Sequence, residues 1–460
     1  MKRIVLLLAL AAACSPVQVL DKRMTEVRDY VPRYAVMAHR GSTYWAPEET
    51  ESAWRWAREM GADYLESDLQ CTKDGVILAN HDVNLTRTTN IEEVFGEGLP
   101  AGRGQFYVSL GFSEEDAREQ CARDKASFRP FEASSYYYAE LLALDAGKWF
   151  NEAYPDRARP GFERSQYVSA LQDQIAYASG RRLRRDADGR RILPWSLKAG
   201  FEGKSLAEIS ALSKEGGKYI EIIDYDFSAA YEPDPEDTGN RPGIYIEFKE
   251  PEVNPEDMEQ RVYDILDAAG WNILTKPAAE SEFYAGGKVR VGLTSGKVIL
   301  QTFSKESLCR ANKIFQGNVP MCFLLWRSDW NGELDSRGSY ADVLKWAQDN
   351  GAHIIGPSIS GAPNDYEELD AAWQAELVRR SAMLNHPYSF DTEEQMEEHA
   401  MRSDGYFTNR SDLTLRYLID HGLRCSDSIA DPLNPGKVYS NAEAPAEVPD
   451  AKATLARLGY

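Results

Sequence analysis

Two apolar runs near the start of the chain decide the fold: Tyr34-Ala35-Val36-Met37-Ala38-His39-Arg40-Gly41 and Tyr64-Leu65-Glu66-Ser67-Asp68-Leu69. The residues between them, Thr50–Met60, have the spacing of an amphipathic helix. A strand, a helix and a second strand in this order predict two parallel strands, because a parallel pair needs a long crossover connection. The same alternation continues along most of the chain and predicts an α/β fold.

Nine segments have the pattern of strands, and helical patterns lie between many of them. The predicted strands are Tyr34–Ala38, Tyr64–Leu69, Val76–Asn80, Ile244–Phe248, Lys297–Phe303, Pro320–Leu325, His353–Ile355, His386–Phe390 and Gly405–Thr408. The predicted helices are Thr50–Met60, Pro255–Ala269, Lys305–Phe315, Tyr340–Asn350, Tyr366–Leu384, Glu393–Arg402 and Asp412–His421. An eight-stranded barrel needs one strand fewer, and the segment between Leu69 and Val76 is too short for a parallel crossover. Because Lys73-Asp74-Gly75 favours a turn, either those two strands form a hairpin or one lies outside the barrel.

Length and composition limit the classes of function. The chain has 460 residues, of which 43% are hydrophobic and 27% charged, and these values exclude a disordered chain and a multi-span membrane protein. The length fits three small domains or one large α/β barrel with insertions. The net charge of −21 repels phosphate backbones and argues against nucleic-acid binding. No glycine-rich nucleotide-binding motif follows the first strand, which disfavours a nucleotide-binding open sheet.

Four residues in the N-terminal part suggest a metal-assisted acid–base site. Glu66 and Asp68 are two apart on a predicted strand and point to one face, at the end where α/β barrels build active sites. Two carboxylates on one face repel unless a cation lies between them, which indicates a hard metal ion. His39 and His81 end neighbouring apolar runs and suit a general base and a general acid. Taken singly, the carboxylate pair is more often a solvated edge or a salt-bridge ladder, and a histidine at a strand end is more often a packing residue.

These residues belong to a longer series of motifs between residues 38 and 89. The motifs are His39-Arg40-Gly41, Pro47-Glu48-Glu49-Thr50, Gly61-Ala62-Asp63 with Glu66 and Asp68, Thr72-Lys73-Asp74-Gly75, His81-Asp82 and Arg87-Thr88-Thr89. In this order they resemble the signature of the glycerophosphodiester phosphodiesterase family, and similar segments follow at 144–150, 242–249, 298–303 and 404–408. The resemblance implies a (β/α)8 TIM barrel with long insertions and a divalent metal, Ca²⁺ or Mg²⁺. It also implies hydrolysis of glycerophosphodiesters to sn-glycerol 3-phosphate and an alcohol.

The resemblance also implies roles for single residues. The expected metal ligands are Glu66, Asp68 and Glu247. The expected acid–base pair is His39 and His81. The expected substrate contacts are Arg40, Lys249 and, near the glycerol, Glu48. Glu247 and Lys249 are two apart on a predicted strand and therefore share a face. The chain departs from the family pattern at Glu49, where Asn is usual, and at Asn409, where Asp is usual.

The N-terminus predicts export to the bacterial cell envelope. A basic segment at residues 1–3 precedes the apolar run from Ile4 to Ala13, which is too short to span a bilayer, so residues 1–13 are expected to be a signal peptide. Cys14 follows at once, as in a bacterial lipobox, and is expected to be lipidated. The protein would then be anchored to a membrane and face the periplasm or the exterior, with residues 14–28 as a tether. The alternative is an ordinary signal peptide with an incidental Cys14.

The barrel is expected to span residues 29–425, followed by a C-terminal extension at 426–460. Insertions are expected at 91–136 and 151–204, where the strand and helix patterns break down. The second insertion carries a basic cluster, namely Arg181, Arg182, Arg184, Arg185, Arg190 and Arg191. This cluster is either a solvated loop balanced by acidic neighbours or a contact for anionic headgroups. The remaining five cysteines form no zinc-binding pattern.

Three other functions compete with the expected hydrolase. The first is another phosphodiesterase on the same barrel, such as a lysophospholipase D or a sphingomyelinase D-like enzyme. The second is a non-catalytic surface lipoprotein that binds phosphorylated headgroups, although pure binding needs no acid–base pair. The third is a glycosidase with paired carboxylates, which would leave His39, His81 and Lys249 unexplained.

Overall fold

Eight parallel strands form the centre of the protein in the computed structural model, which describes residues 17–212, 219–434 and 436–460. The strands are β1 (Ala35–Ala38), β2 (Tyr64–Cys71), β3 (Gly243–Phe248), β4 (Val298–Thr302), β5 (Met321–Leu325), β6 (Ile354–Pro357), β7 (Leu384–Asn385) and β8 (Gly405–Thr408). Consecutive strands from β1 to β7 pair in parallel, and β8 pairs with β1. The ring closes after β7, where Phe390 pairs with Thr408 in parallel and donates its N–H to Phe407 O at 2.7 Å. The predicted TIM barrel is confirmed.

One barrel helix follows each barrel strand, and further short helices lie between β2 and β3 and at the two ends of the described chain. The barrel helices are α1 (Glu51–Met60), α2 (Leu171–Ala178), α3 (Met258–Ala268), α4 (Lys305–Phe315), α5 (Arg337–Asp349), α6 (Ala372–Arg380), α7 (Glu393–His399) and α8 (Ser411–Asp420). The other α-helices are Lys22–Arg28, Ile91–Phe95, Arg103–Ser109, Glu114–Ser127, Tyr138–Leu141, Lys148–Ala153, Leu206–Leu212 and Ala451–Leu458. The short strands outside the barrel are Ile77–Ala79, Ser169–Ala170, Arg181–Leu183, Trp195–Leu197, Ile223–Tyr225, Tyr231–Pro233, Tyr284–Ala285, Lys288–Val289, Ile429–Ala430 and Val438–Tyr439.

Side chains of the barrel strands alternate between the interior and the surrounding helices. Tyr64 of β2 and Tyr245 of β3 pack inside the barrel, whereas Leu65 packs with the layer that includes the helices. Because side chains on a strand alternate with a period of two, Glu66 and Glu247 face the interior as well, one layer above the two tyrosines. The period of the strands therefore carries these acidic side chains to the carboxyl end of the barrel.

One open alternative is decided by the structure, and two predicted elements differ from it. The surplus strand, predicted at Val76–Asn80, is Ile77–Ala79, which pairs antiparallel with β2 as a hairpin and is not part of the barrel. The strand predicted at His386–Phe390 lies earlier, because β7 covers Leu384–Asn385. The helix predicted over Tyr366–Leu384 is wrong at both ends: α6 covers only Ala372–Arg380, and Leu384 already belongs to β7. The predicted range includes loop residues before α6 and strand residues after it, because sequence periodicity does not mark such boundaries sharply.

The predicted second insertion contains a helix of the barrel. Gln174 in α2 donates its side-chain amide to Leu65 O at 2.9 Å and accepts the Ser67 hydroxyl at 2.9 Å, so α2 packs on β2. Within the basic cluster, three arginines form ion pairs with acidic residues. The pairs are Arg182–Glu232, Arg185–Glu51 and Arg191–Asp173, with N–O distances of 2.6, 2.5 and 2.6 Å. These pairs agree with a loop balanced by acidic neighbours.

Both ends of the described chain pack on the barrel. Residues 17–28 were expected to be a tether, but they include the helix Lys22–Arg28, and Arg28 is buried and donates to Ala382 O at 2.7 Å. At the other end, Ala451 begins a helix and accepts the indole N–H of Trp56 in α1 at 3.0 Å. The signal peptide at 1–13 and Cys14 lie outside the described residues. No helix among the described residues is long and apolar enough to cross a membrane.

Candidate active site

Three buried carboxylates meet where β2 and β3 approach their carboxyl ends. Asp68 pairs with Glu247 in the strand register, and Glu66 lies two residues before Asp68. All three side chains are buried, and one oxygen from each lies within 4.8 Å of the others. The structure thus brings together the three residues that were predicted to bind a metal.

The turn after β1 places Arg40 beside these carboxylates. His39–Gly41 forms a 3-10 turn in which Arg40 has a φ of +50° and donates its backbone N–H to Glu66 Oε2 at 2.7 Å. Gly41 has a φ of +86°, and a Cβ atom there would lie 2.5 Å from the Cβ of Ala53 in α1. Glycine is required at this position because the turn packs directly on the helix.

Two cations approach the carboxylate cluster. Arg40 Nε lies 2.9 Å from Asp68 Oδ2, although the two atoms lack the alignment of a hydrogen bond. Lys249 Nζ lies 3.3 Å from Glu247 Oε1 and 3.8 Å from Asp68 Oδ1. Burial alone would lower the pKa of Lys249, but Glu247 and Asp68 raise it above its usual value, so the ammonium stays charged.

The electrostatics of the cluster suit a divalent cation. Burial, followed by repulsion from Asp68, raises the pKa of Glu66 well above its usual range. Burial likewise raises the pKa of Glu247 to about 8, whereas Lys249 and Arg40 overcome burial and lower the pKa of Asp68. Buried Asp68 Oδ2 also has no hydrogen-bond partner in the described structure. Three oxygen ligands, crowded without enough compensating charge, fit a hard ion such as Ca²⁺ or Mg²⁺.

Both predicted acid–base histidines line the same cavity of about 360 Å³ as Glu66 and Glu247. His39 Nδ1 lies 2.8 Å from Asn409 Oδ1, and burial, together with Arg40, lowers the pKa of His39 to about 3. His81 Nδ1 lies 2.5 Å from Asp82 Oδ1. One histidine is therefore held neutral, while the other is hydrogen-bonded to a carboxylate.

Two acidic residues in the loop between β1 and α1 hold other residues of the site in place. Glu48 accepts hydrogen bonds from both terminal nitrogens of Arg87, at 2.9 and 2.7 Å. Its Oε1 also lies 3.7 Å from Arg40 Nη1. This geometry makes Glu48 a bridge between two arginines, and its contact with substrate glycerol stays a prediction. Glu49 Oε1 accepts the backbone N–H of Asp68 at 2.6 Å. Glu49 therefore helps to fix the strand that carries two of the acidic residues.

Several residues of the site had no assigned role in the sequence. Gln301 donates its amide to Glu66 Oε1 at 2.9 Å, and Asn409 orients His39. Asp82 and Arg87 were visible in the quoted motifs, but only the structure shows that Arg87 Nε contacts Asp82 Oδ2 at 2.5 Å.

A row of aromatic side chains borders the cavity on another side. This aromatic wall consists of Phe303, Tyr388, Tyr366 and Trp326, with successive ring centres 5.9, 5.9 and 5.5 Å apart. Its members come from the loops after different strands, so no local sequence motif predicts the wall. The wall gives the cavity an apolar side next to its charged residues.

Comparison with known proteins supports the same assignment. Residues 39–181 match the model of the Glycerophosphoryl diester phosphodiesterase family. The chain is 26% identical over 384 residues to a glycerophosphodiester phosphodiesterase of Bacillus subtilis (strain 168), covering 83% of this chain and 85% of that protein. It is 36% identical over 141 residues to glycerophosphodiester phosphodiesterase domain-containing protein 5 of Homo sapiens, covering 31% of this chain and 18% of that protein.

A solved structure supports the fold. A crystal structure from Silicibacter pomeroyi DSS-3, assigned to the glycerophosphoryl diester phosphodiesterases, aligns with a TM-score of 0.50 at 16% identity, covering 87% of this chain and 98% of that one. At this identity the similarity concerns the barrel alone. Together, the matched motifs, the relative that covers most of the chain and the barrel lead to one conclusion. Residues 39–181 carry a domain of the glycerophosphoryl diester phosphodiesterase family, and the chain is a phosphoric diester hydrolase.

Proposed function

We propose that this protein hydrolyses glycerophosphodiesters to sn-glycerol 3-phosphate and an alcohol, using a divalent cation and two histidines. The observation that carries the proposal is the convergence of all these groups on one cavity. Two glutamates, two histidines and the cations Arg40 and Lys249 line a space of about 360 Å³, and Asp68 lies within 4.8 Å of the two glutamates. A phosphodiester anion needs positive charge to accept a nucleophile, and this cavity offers positive charge and acid–base groups together.

The cation would be held by Glu66, Asp68 and Glu247. When bound, it withdraws negative charge from the phosphate oxygens as a Lewis acid. Arg40 and Lys249 would then be freed in part from Asp68 and Glu247, because a divalent ion neutralises those carboxylates. Their guanidinium and ammonium groups could donate to the nonbridging oxygens and orient the diester. The cation, Ca²⁺ or Mg²⁺, and the two basic residues would thus share the charge of the phosphate.

The two histidines divide the proton transfers. His39 would be the general base, because its lowered pKa keeps it neutral, and Asn409 Oδ1 accepts from Nδ1–H and leaves Nε2 with a lone pair. His81 would be the general acid that protonates the leaving alkoxide, because its contact with Asp82 through Nδ1 orients the ring and leaves Nε2 to face the substrate. Burial alone would raise the pKa of Asp82. Hydrogen bonds from His81 and Arg87 outweigh burial and hold this pKa below its usual range, so the carboxylate stays charged.

One assay tests the reaction against its rivals. Release of glycerol 3-phosphate from diesters with varied alcohols should be measured with and without a chelator. We expect release from these diesters, loss of release with chelator, and recovery on addition of Ca²⁺ or Mg²⁺. Release of lysophosphatidic acid from a lysophospholipid, without glycerol 3-phosphate from any diester, would favour a lysophospholipase D instead. Binding of diesters without turnover of any of them would favour the non-catalytic lipoprotein.

We also propose that Cys14 carries a lipid anchor that holds the enzyme in the cell envelope, facing the periplasm or the exterior. The support is the order of a basic segment, an apolar run and Cys14 in the sequence. Cys14→Ser should release a soluble form or leave an uncleaved precursor, detected by membrane fractionation and the mass of the N-terminal peptide. Cys309→Ser, at an exposed cysteine, serves as the control and should fractionate like the wild type. Unchanged membrane association of Cys14→Ser would contradict the lipid anchor.

A further inference from the structure

The catalytic cavity continues into a second cavity of about 350 Å³. The two cavities share His81, Glu247, Lys249, Phe303 and Asp329. Because a phosphodiester carries one alcohol on each side of phosphorus, a phosphate held near Lys249 has space for both alcohols. Of the shared residues, His81, Glu247 and Lys249 therefore lie where the phosphate and the start of the leaving alcohol would sit.

The aromatic wall begins immediately beside the phosphate position. Lys249 Nζ lies 5.9 Å from the centre of the Phe303 ring, and Trp326, at the other end of the wall, is 36% exposed at the cavity mouth. Aromatic faces attract cations through the ring quadrupole, and quaternary ammonium groups are bound in this way. The wall can thus accept an apolar group or a weakly hydrated cation.

Negative charge at the outer rim distinguishes these two ligands. Asp329 is exposed and accepts only the Ser328 hydroxyl, at 3.2 Å, and no cation pairs with it in the described part of the chain. Its neighbour Arg327 is engaged with Asp335 and Glu367. Glu250 and Glu252, which line the second cavity, also have no cationic partner among the described residues. An apolar ligand would desolvate these carboxylates without compensation, whereas a cation would pair with them.

A buried polar atom indicates that the inner cavity is incomplete without a ligand. Gln301 is 2% exposed and lines the catalytic cavity, yet its Oε1 atom has no hydrogen-bond partner in the described structure. Buried amide oxygens are rarely left unpaired, so a polar ligand is expected to approach this atom. Asp329 lines the same cavity as Gln301, so the negative rim borders a ligand site and is not an isolated acidic patch.

We infer that this enzyme selects glycerophosphodiesters whose alcohol carries a positive charge, a quaternary or primary ammonium, and that Trp326 and Asp329 determine this selectivity. The inference rests on the proposed function and adds the class of alcohol to it. Asp329 supplies the opposite charge, and the ring of Trp326 supplies a face for the ammonium group.

The experiment compares three diesters that differ only in the alcohol: glycerophosphocholine, glycerophosphoethanolamine and the neutral glycerophosphoglycerol. The wild type should have a kcat/KM about tenfold higher for the two cationic diesters. Asp329→Asn should remove most of this preference through a higher KM for the two cationic diesters. Trp326→Leu should lower kcat/KM most for the choline diester. Higher ionic strength should lower kcat/KM for the cationic diesters only.

The matched control is Glu333→Gln, which removes one negative charge from the same exposed loop but lines neither cavity. It should keep the wild-type preference. Equal kcat/KM values for charged and neutral alcohols, or an equal loss for all diesters in Asp329→Asn, would overturn the inference while the proposed function stands. Faster hydrolysis of a lysophospholipid than of any soluble diester would assign the aromatic wall to an acyl chain. If none of these diesters is hydrolysed, the proposed function itself fails.

Discussion

Glu66→Gln is expected to lower turnover at least about 10³-fold, and exhaustive chelation of the wild type should do the same. Glu66 lies between the backbone N–H of Arg40 and the amide of Gln301, and it is one of three carboxylates that can bind one ion. Glutamine keeps the volume of the side chain but removes the negative charge that the cation needs. The measurement is glycerol 3-phosphate release at saturating Ca²⁺ or Mg²⁺, before and after metal depletion.

A folding measurement separates loss of a ligand from loss of structure. Burial raises the pKa of Glu66, so the charge of this side chain contributes little to the stability of the metal-free protein. The metal-free variant should therefore still unfold cooperatively as a folded protein, and only the wild type should be strongly stabilised by added cation. Glu26→Gln, at a surface ion pair with Lys22, serves as the control and should behave like the wild type. Full turnover after complete metal removal would contradict the metal assignment.

His39→Ala and His81→Ala are each expected to reduce turnover by about 10²–10⁴-fold, the usual contribution of a general acid or base. Both side chains line the catalytic cavity, and each ring is fixed through Nδ1 by a neighbouring side chain. The double variant should lose much less than the product of the two single effects, because both groups serve one reaction. Steady-state turnover of the three proteins on one diester measures these effects.

Cation-dependent stabilisation should survive in both histidine variants, because neither histidine is among the three metal ligands. His421→Ala is the matched control: this histidine is exposed, stacks on Tyr417 and lies outside the cavity. Near-full turnover of His81→Ala would make His81 a packing residue. Near-full turnover of both catalytic-site variants would remove the basis for acid–base catalysis and favour a binding protein.

The sequence predicted the elements whose signal is local. The short apolar runs located the barrel strands, and the period of two was enough to place Glu66 and Asp68 on one face. Helix α2 was missed because it is short and lies inside a polar region with little periodicity. Residues 17–28 were interpreted as a tether because their few apolar side chains gave no sign of the barrel surface that they cover.

Contacts between distant residues could not be predicted from local patterns. Asn409 is 370 positions from His39, and Gln301 is 235 positions from Glu66, yet each forms a hydrogen bond that defines the site. These contacts exist only because the barrel closes and brings the ends of its strands to one rim. The aromatic wall has the same origin, since its rings come from loops that follow different strands. Substrate selectivity is therefore the property that is hardest to predict from this sequence.

The position of α2 limits how the enzyme could be re-engineered. The long region between Ile77–Ala79 and β3 invites removal as a cassette, to graft another recognition module onto the same catalyst. Deletion of residues 151–204 would, however, remove α2. Its Gln174 is hydrogen-bonded to Leu65 and Ser67 of β2, on either side of Glu66. One wall of the barrel would then lose its helical cover, and apolar strand surface would be open to water. Exchangeable segments in this chain must therefore be chosen on either side of α2, never across it.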